Sequence, residues 1–242
     1  MHREDISLTK TTSCYSRGEI LVKCSKCTVF VCEHPEQAGV TSKLDFCPMN
    51  IEKDILAKAR KEYEKPDVGK LARASALVEA EGYMKWTRVE DTMEFARRMN
   101  FVRLGVACCV GLAQEGKVLT DILESNGFEV TSVFCKTGGV SKEELGLKDG
   151  EKVRPGTFEP ICNPVAQALI MNKAKTELNI IVGLCVGHDS AFIKYSEAPV
   201  TVLVAKDRVL CHNPVGALYT ARGYYKRKLY DSHKGQMRVP EQ

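Results

Sequence analysis

Leu178-Asn-Ile-Ile-Val182, followed at once by Gly183-Leu-Cys-Val-Gly187-His188-Asp189, decides the fold. The five-residue run is apolar almost throughout, the pattern of a strand buried on both faces, and such strands belong to parallel sheets covered by helices. The glycines after it permit a sharp turn into a short helix near Asp189–Tyr195. Upstream, Asn163-Pro164 opens a helix with proline in its first turn, and Phe128–Phe134 and Phe101–Ala107 are strand-like. Between those two strands a helix runs from about Leu112 to Ser125 and is closed by Asn126-Gly127. Downstream, Val200–Val204 is a fourth strand, and Lys206-Asp207 turns into Arg208-Val-Leu210, expected as an antiparallel edge. A last helix is expected from Asn213-Pro214, and residues 136–161 form a loop. Strands alternating with helices imply right-handed crossovers. The expected class is α/β: a mainly parallel sheet with helices on both faces, plus a cysteine-rich segment and a helical stretch before it. Ligands of such sheets bind at the carboxyl ends of the strands.

By composition the chain falls into three stretches. Residues 1–48 are a cysteine-rich metal-binding segment, 49–100 a helical segment packing on the core, and 101–242 the α/β domain with a cysteine-lined crevice at its strand ends. In the first stretch Ile20-Leu21-Val22 and Val29-Phe30-Val31 are short strands or knuckle edges. In the second, apolar residues recur at helical spacing (Ile51, Ile55, Leu56, Ala59, then Leu71, Ala74, Leu77, Val78), Pro66-Asp67 opens a helix, and another runs over Val89–Arg98. With 35 basic and 31 acidic residues the net charge is +4, which gives no signature of nucleic-acid binding. The basic side chains of Arg222, Lys226, Arg227, Lys228, Lys234 and Arg238 read as the charged end of a C-terminal helix. The polar first residues lack a signal peptide's apolar core, and no apolar run approaches the ~18–20 residues needed to span a bilayer. A cytoplasmic protein is expected.

Cysteine is the unusual residue, at 11 of 242. The odd number rules out complete intramolecular pairing, and closely spaced thiols in a reducing compartment are ligands or nucleophiles. Cys24-x2-Cys27-x4-Cys32, with Cys47-Pro48, supplies four thiols in one short segment. A two-residue gap lets both sulfurs turn toward one ion. The segment has little core of its own, so a bound metal would staple it. Four thiolates suit zinc or a [4Fe-4S] cluster, and spacing alone does not choose between them.

Four of the other cysteines follow strands: Cys109, Cys135, Cys185 and, after the edge segment, Cys211. Cys162 opens a helix. In a parallel sheet all of these face one crevice, where with His212 they form a candidate cofactor site. A short repeat supports the grouping: Cys109-Val-Gly-Leu recurs as Cys185-Val-Gly-His, and Cys162-Asn-Pro-Val as Cys211-His-Asn-Pro-Val. Cys108 and Cys14 are expected to be inert buried thiols. GLCVGHD, Gly183 to Asp189, is similar to the nucleophile elbow of class I glutamine amidotransferases, which implies Cys185 as a catalytic nucleophile with His188 as a candidate base. The His-x-Glu that completes the site in that family is missing after Cys185.

Taken together, Cys24-x2-Cys27-x4-Cys32, Cys47-Pro48-Met49, Cys109-Val-Gly-Leu, Cys162-Asn-Pro-Val and GLCVGHD through His212-Asn-Pro resemble the cysteine-rich "uncharacterised metal-binding protein" family of anaerobic bacteria and archaea, a domain of unknown function. The resemblance runs from about Cys24 to Leu229 and implies metal binding. Two functions are then expected in competition: a metal- or iron–sulfur-cluster-binding protein with a redox, sulfur- or metal-handling role, or a thiol enzyme with a structural zinc. The expected partner is a small molecule or a redox partner; neither a membrane nor a nucleic acid is implied, and the sequence sets no oligomeric state.

Overall fold

The computed structural model describes residues 22–30, 32–34 and 44–230. Ile20, Leu21, Val31, Cys14, Lys234 and Arg238 lie outside the described residues. The chain divides into two units, Met1–Arg73 and Ala74–Gln242.

In the first unit, Cys24–Lys26 form one turn of 3-10 helix. Val29 lies in a bend and Phe30 has φ 48°, so of the two expectations, short strand or knuckle edge, these two residues do not form the strand. Helix α1 (Pro48–Ile51) begins directly after Cys47, and α2 (Lys53–Glu62) follows. Helix α3 (Pro66–Gly82) opens with proline, whose missing N–H costs nothing in a first turn, and the division between the units falls within it.

The second unit continues with α4 (Arg88–Met99). Its N-terminus is a complete capping box: the Thr87 hydroxyl accepts from the Glu90 N–H while the Glu90 carboxylate accepts from the Thr87 N–H. Its C-terminus closes on left-handed Asn100. Then come β1 (Arg103–Cys108), α5 (Ala113–Ser125), β2 (Glu129–Phe134), α6 (Pro164–Lys173), β3 (Leu178–Val182), α7 (His188–Tyr195), β4 (Val200–Val204), α8 (Val215–Tyr219) and α9 (Lys226–Tyr230). The four strands are all parallel and ordered β2-β1-β3-β4.

Alternation along the central strands separates two layers. Leu104, Val106 and Cys108 of β1, with Leu178, Ile180 and Val182 of β3, pack under Met93 and Ala96 of α4 and Leu119 and Leu123 of α5. Ala107, Val133 and Ile181 pack on the other face with Ala168 and Met171 of α6 and Phe192 of α7. Helices therefore cover both faces of an α/β sheet. The chain leaves β1 toward β2 on one side and returns past it to β3 on the other, so the switch point lies between the carboxyl ends of β1 and β3.

The edge strand expected at Arg208–Leu210 is a turn instead. The Asp207 carboxylate accepts from the Val209 and Leu210 N–H groups at 2.9 and 2.8 Å, which curls the chain back. Left-handed Cys211 and His212 complete the reversal, and the His212 N–H donates to the Asp207 carbonyl at 2.8 Å. Among the described residues no helix is long and apolar enough to cross a membrane.

Candidate functional site

The candidate cysteines fall into two groups, one in each unit. In the first unit, Cys24, Cys27, Cys32 and Cys47 line a single cavity of about 80 Å³, with Phe30, Leu44, Phe46, Pro48 and Met49 as the rest of its wall. Local backbone bonds set this up. The Cys27 N–H donates to the Cys24 carbonyl at 3.0 Å, and the Phe30 N–H donates to the Cys27 sulfur at 3.4 Å. The Cys47 N–H is tied to the Leu44 carbonyl.

The second group sits at the carboxyl ends of the strands. The Cys109 N–H donates to the Val182 carbonyl at 3.0 Å and the Cys135 N–H to the Cys108 carbonyl at 2.9 Å, so these two cysteines extend the sheet's ladder by one residue. The Asn163 N–H donates to the Cys135 carbonyl at 2.6 Å, and the Asn163 side chain caps α6. That bond draws Cys162 to the end of β2. As a result the Cys135 side chain packs in one cluster with those of Cys109 and Cys162, and its thiol interacts with both of theirs. Cys109 and Cys135 are buried and Cys162 is half-buried.

Cations surround the trio. The Lys206 ammonium and the Cys109 sulfur both flank Gly111, and Lys136 acts electrostatically on Cys162 while its ammonium donates to the Pro160 carbonyl at 2.5 Å. Arg208 donates to the Cys185 sulfur at 2.9 Å. The Cys135 thiol, the Gly111 N–H and Lys206 hold the Cys109 thiol below its ordinary value, against the opposing effect of burial. The Cys135 thiol, Lys136 and His188 do the same for Cys162. Cys135 moves upward, because its proton is held by both neighbours and its sulfur is buried. It has one S–H and serves one neighbour at a time, so the three sulfurs titrate as one unit.

Among the described residues no three His, Cys, Asp or Glu side chains are gathered tightly enough to grip a metal. The crevice sulfurs form a chain, with Cys135 in the middle, and the N-terminal four line a cavity wall. A metal would need each sulfur at about 2.3 Å from one centre.

The remaining candidates fall out as follows. Cys185 is half-buried at the turn after β3. The left-handed positions there are Gly183, at φ 69°, and Gly187, at φ 85°, while Cys185 is not among the positive-φ residues. An added Cβ at Gly183 would lie 2.1 Å from the Leu112 side chain, so glycine is required on two counts. His188 opens α7 and bears electrostatically on Cys162, and its Nδ1 is buried without a hydrogen-bond partner. Cys211 is exposed in the turn after β4. His212 closes that turn, its Nδ1 accepting from the Asp207 N–H at 3.1 Å. Cys108 points into the opposite layer, its sulfur donating to the Leu112 carbonyl at 3.2 Å, and burial pushes its thiol up to about 11.

Lys136, Lys206 and Arg208 were not expected from sequence. The one signal for Lys206 and Arg208 was their place just past the carboxyl end of a parallel strand. Gln167 was also unforeseen. It is fully buried on α6, and its amide donates to the Val133 carbonyl at 2.6 Å and the Cys108 carbonyl at 3.3 Å, directly beneath the crevice.

The family described as "Protein of unknown function (DUF1847)" matches residues 47–203, a span that holds Cys47, Cys108, Cys109, Cys135, Cys162 and Cys185. An uncharacterized protein of Methanocaldococcus jannaschii is 44% identical over 210 residues, covering 87% of this chain and 99% of the relative.

Proposed function

We propose that this chain, which belongs to the DUF1847 family of proteins of unknown function, is a cytoplasmic metal- or iron–sulfur-binding protein that carries out redox or sulfur chemistry at the crevice of its α/β unit. The observation that carries the metal reading is the single small cavity lined by Cys24, Cys27, Cys32 and Cys47. Four thiols and an otherwise apolar wall are a donor set for zinc or a [4Fe-4S] cluster, and not for a hard cation that takes oxygen ligands. The segment also has no buried residue in its helical turn and none in α1 or α2, so a metal would supply the stability its core does not. The described cysteines are all free, in keeping with a reducing compartment. The redox reading rests on the crevice trio and its three cations.

The test is purification without oxygen, followed by metal analysis and a visible spectrum. Zinc leaves the visible region blank, whereas a cluster absorbs there and bleaches on reduction. Replacing Cys24 and Cys27 together with alanine should remove one metal equivalent or one cluster. Unchanged metal content in that variant overturns the assignment.

A further inference from the structure

We propose that Cys162, Cys135 and Cys109 form a thiol–disulfide exchange relay that reduces a small anionic disulfide admitted at the Lys136, Lys206 and Arg208 rim. The proposal rests on the redox reading of the crevice and is independent of a metal in the first unit.

The three sulfurs differ in what can reach them. Cys162 is half-buried and stands at the start of α6, open to a ligand at the strand ends. Cys135 is 2% exposed, so an external disulfide cannot attack or be attacked there, but Cys109 and Cys162 pack with it in one cluster, and the Asn163 N–H bond to the Cys135 carbonyl at 2.6 Å holds Cys162 beside it. Such a buried middle sulfur suits a resolving thiol, and its neighbour on the open side suits the attacking one. The Val110 N–H donates to the Cys135 sulfur at 3.4 Å and fixes its position.

The exchange balances as follows. The Cys162 thiolate attacks one sulfur of the substrate R–S–S–R, forming Cys162–S–S–R and releasing RS⁻. The Cys135 proton passes to the Cys109 thiolate. The resulting Cys135 thiolate attacks the Cys162 sulfur, forming a Cys135–Cys162 disulfide and releasing the second RS⁻. The substrate gains two electrons, Cys135 and Cys162 lose two, and Cys109 keeps the proton. An external dithiol returns the pair to its reduced form by the reverse exchange.

The rim defines the substrate class. Lys206 and Cys109 both flank Gly111, Lys136 bears electrostatically on Cys162, and Arg208 donates to the Cys185 sulfur. Three cations around one mouth favour a disulfide bearing carboxylates or phosphates and disfavour a cationic one.

The full chain, reduced and kept free of oxygen, is mixed with glutathione disulfide, with cystamine or with 2-hydroxyethyl disulfide, which are anionic, cationic and neutral respectively. Released thiol is counted, and the new disulfide is located by alkylation and peptide mass spectrometry. The relay requires two thiols released per chain, a Cys135–Cys162 disulfide, and glutathione disulfide reacting at least about tenfold faster than cystamine at low salt, with the gap closing as salt is raised. Cys135→Ser should stop at a mixed disulfide on Cys162 with one thiol released, and Arg208→Gln should narrow the charge preference. Mapping in the unaltered chain does not depend on how the variants fold. A mixed disulfide accumulating on Cys185 or on the cysteines of the first unit, or equal rates with the anionic and cationic disulfides, overturns the proposal. Loss of metal from the Cys24→Ala, Cys27→Ala chain with the exchange intact leaves it standing.

Discussion

Asn179 shows how much a single residue can hide inside a legible pattern. The run Leu178–Val182 reads as a doubly buried strand, and every residue of it is buried. Nothing in that run explains a polar side chain in its second position. The structure does: the Thr176 hydroxyl donates to the Asn179 Oδ1 at 2.8 Å, and the Asn179 amide donates to the Ser196 hydroxyl at 2.8 Å, joining the segment before β3 to the end of α7. Asn179→Ala removes both bonds, although the Thr176 hydroxyl keeps the Met171 carbonyl and the Ser196 hydroxyl the Ala198 carbonyl, and should cost about 1–3 kcal/mol, read as a shift of the denaturant midpoint. The neighbouring strand is fitted to this side chain, since a Cβ on Gly105 would lie 2.0 Å from the Asn179 Oδ1. Adjacent cysteines make the same point. Cys108 and Cys109 are one residue apart, and the two-residue strand period sends them to opposite layers. At neutral pH an alkylating reagent should label Cys162 well before Cys108, whose thiol is buried and pushed up to about 11. Mass spectrometry that finds Cys108 labelled in the folded chain would contradict this assignment of faces.

Among the elements, the excursion between β2 and α6 was the least legible, because Gly, Pro and charged residues in 136–161 carry no period. Its organisation is electrostatic. Lys152 is buried, and its ammonium bonds Glu143 at 2.7 Å, Asp149 at 2.6 Å and the Thr157 carbonyl at 2.6 Å. Lys142 pairs with Glu159, and a short antiparallel bridge joins Ser141 to Pro160. Hydrogen bonds from Lys152 and Ser141 hold the Glu143 carboxyl down at about 2, and Lys152 lowers Asp149 in the same way. A carboxylate with a depressed pKa in the folded chain stabilises it above the unfolded value and ceases to do so as pH falls through the folded one. The excursion should therefore stay closed above the ordinary glutamate value of about 4.3 and open as pH falls toward about 2. Pepsin should cut within 136–161 at the acid end of that window and spare it at the other. Equal cutting at both ends would show that the ion cluster does not hold the segment. By contrast α4 and α6 were readable, α4 from the helical spacing over Val89–Arg98 and α6 from Asn163-Pro164, an end signal written in the residues themselves.

For the whole molecule, alternation of strands and helices was enough to give a parallel sheet, because each crossover has one favoured hand. The strand order was not available, since it depends on which side each helix takes. Spacing likewise grouped the cysteines of each site, but the cations around the crevice come from a turn whose residues look like ordinary surface. If the first unit is stapled by metal, a chelator should raise hydrogen exchange in residues 44–62 and leave β1 and β3 protected. Equal loss in both units would mean that the metal, if any, is held elsewhere.

The order β2-β1-β3-β4 also has a consequence for the chain while it is being made. β1 lies in the middle of the sheet but is the first strand in sequence, and the Cys109 N–H finds its acceptor only at Val182. A ribosome working at ~5–20 residues per second needs roughly 4–15 s to cover that interval, and Cys135 and Cys162 emerge within it. For those seconds the thiols are in solution with one flank of the sheet missing, free to pair with whichever sulfur arrives first. Refolding in air should therefore yield mispaired, inactive chains, and refolding with excess dithiol should restore the native sheet. Recovery measured by circular dichroism and thiol counting would separate the two, and equal yields would show that the sheet closes before its sulfurs can stray.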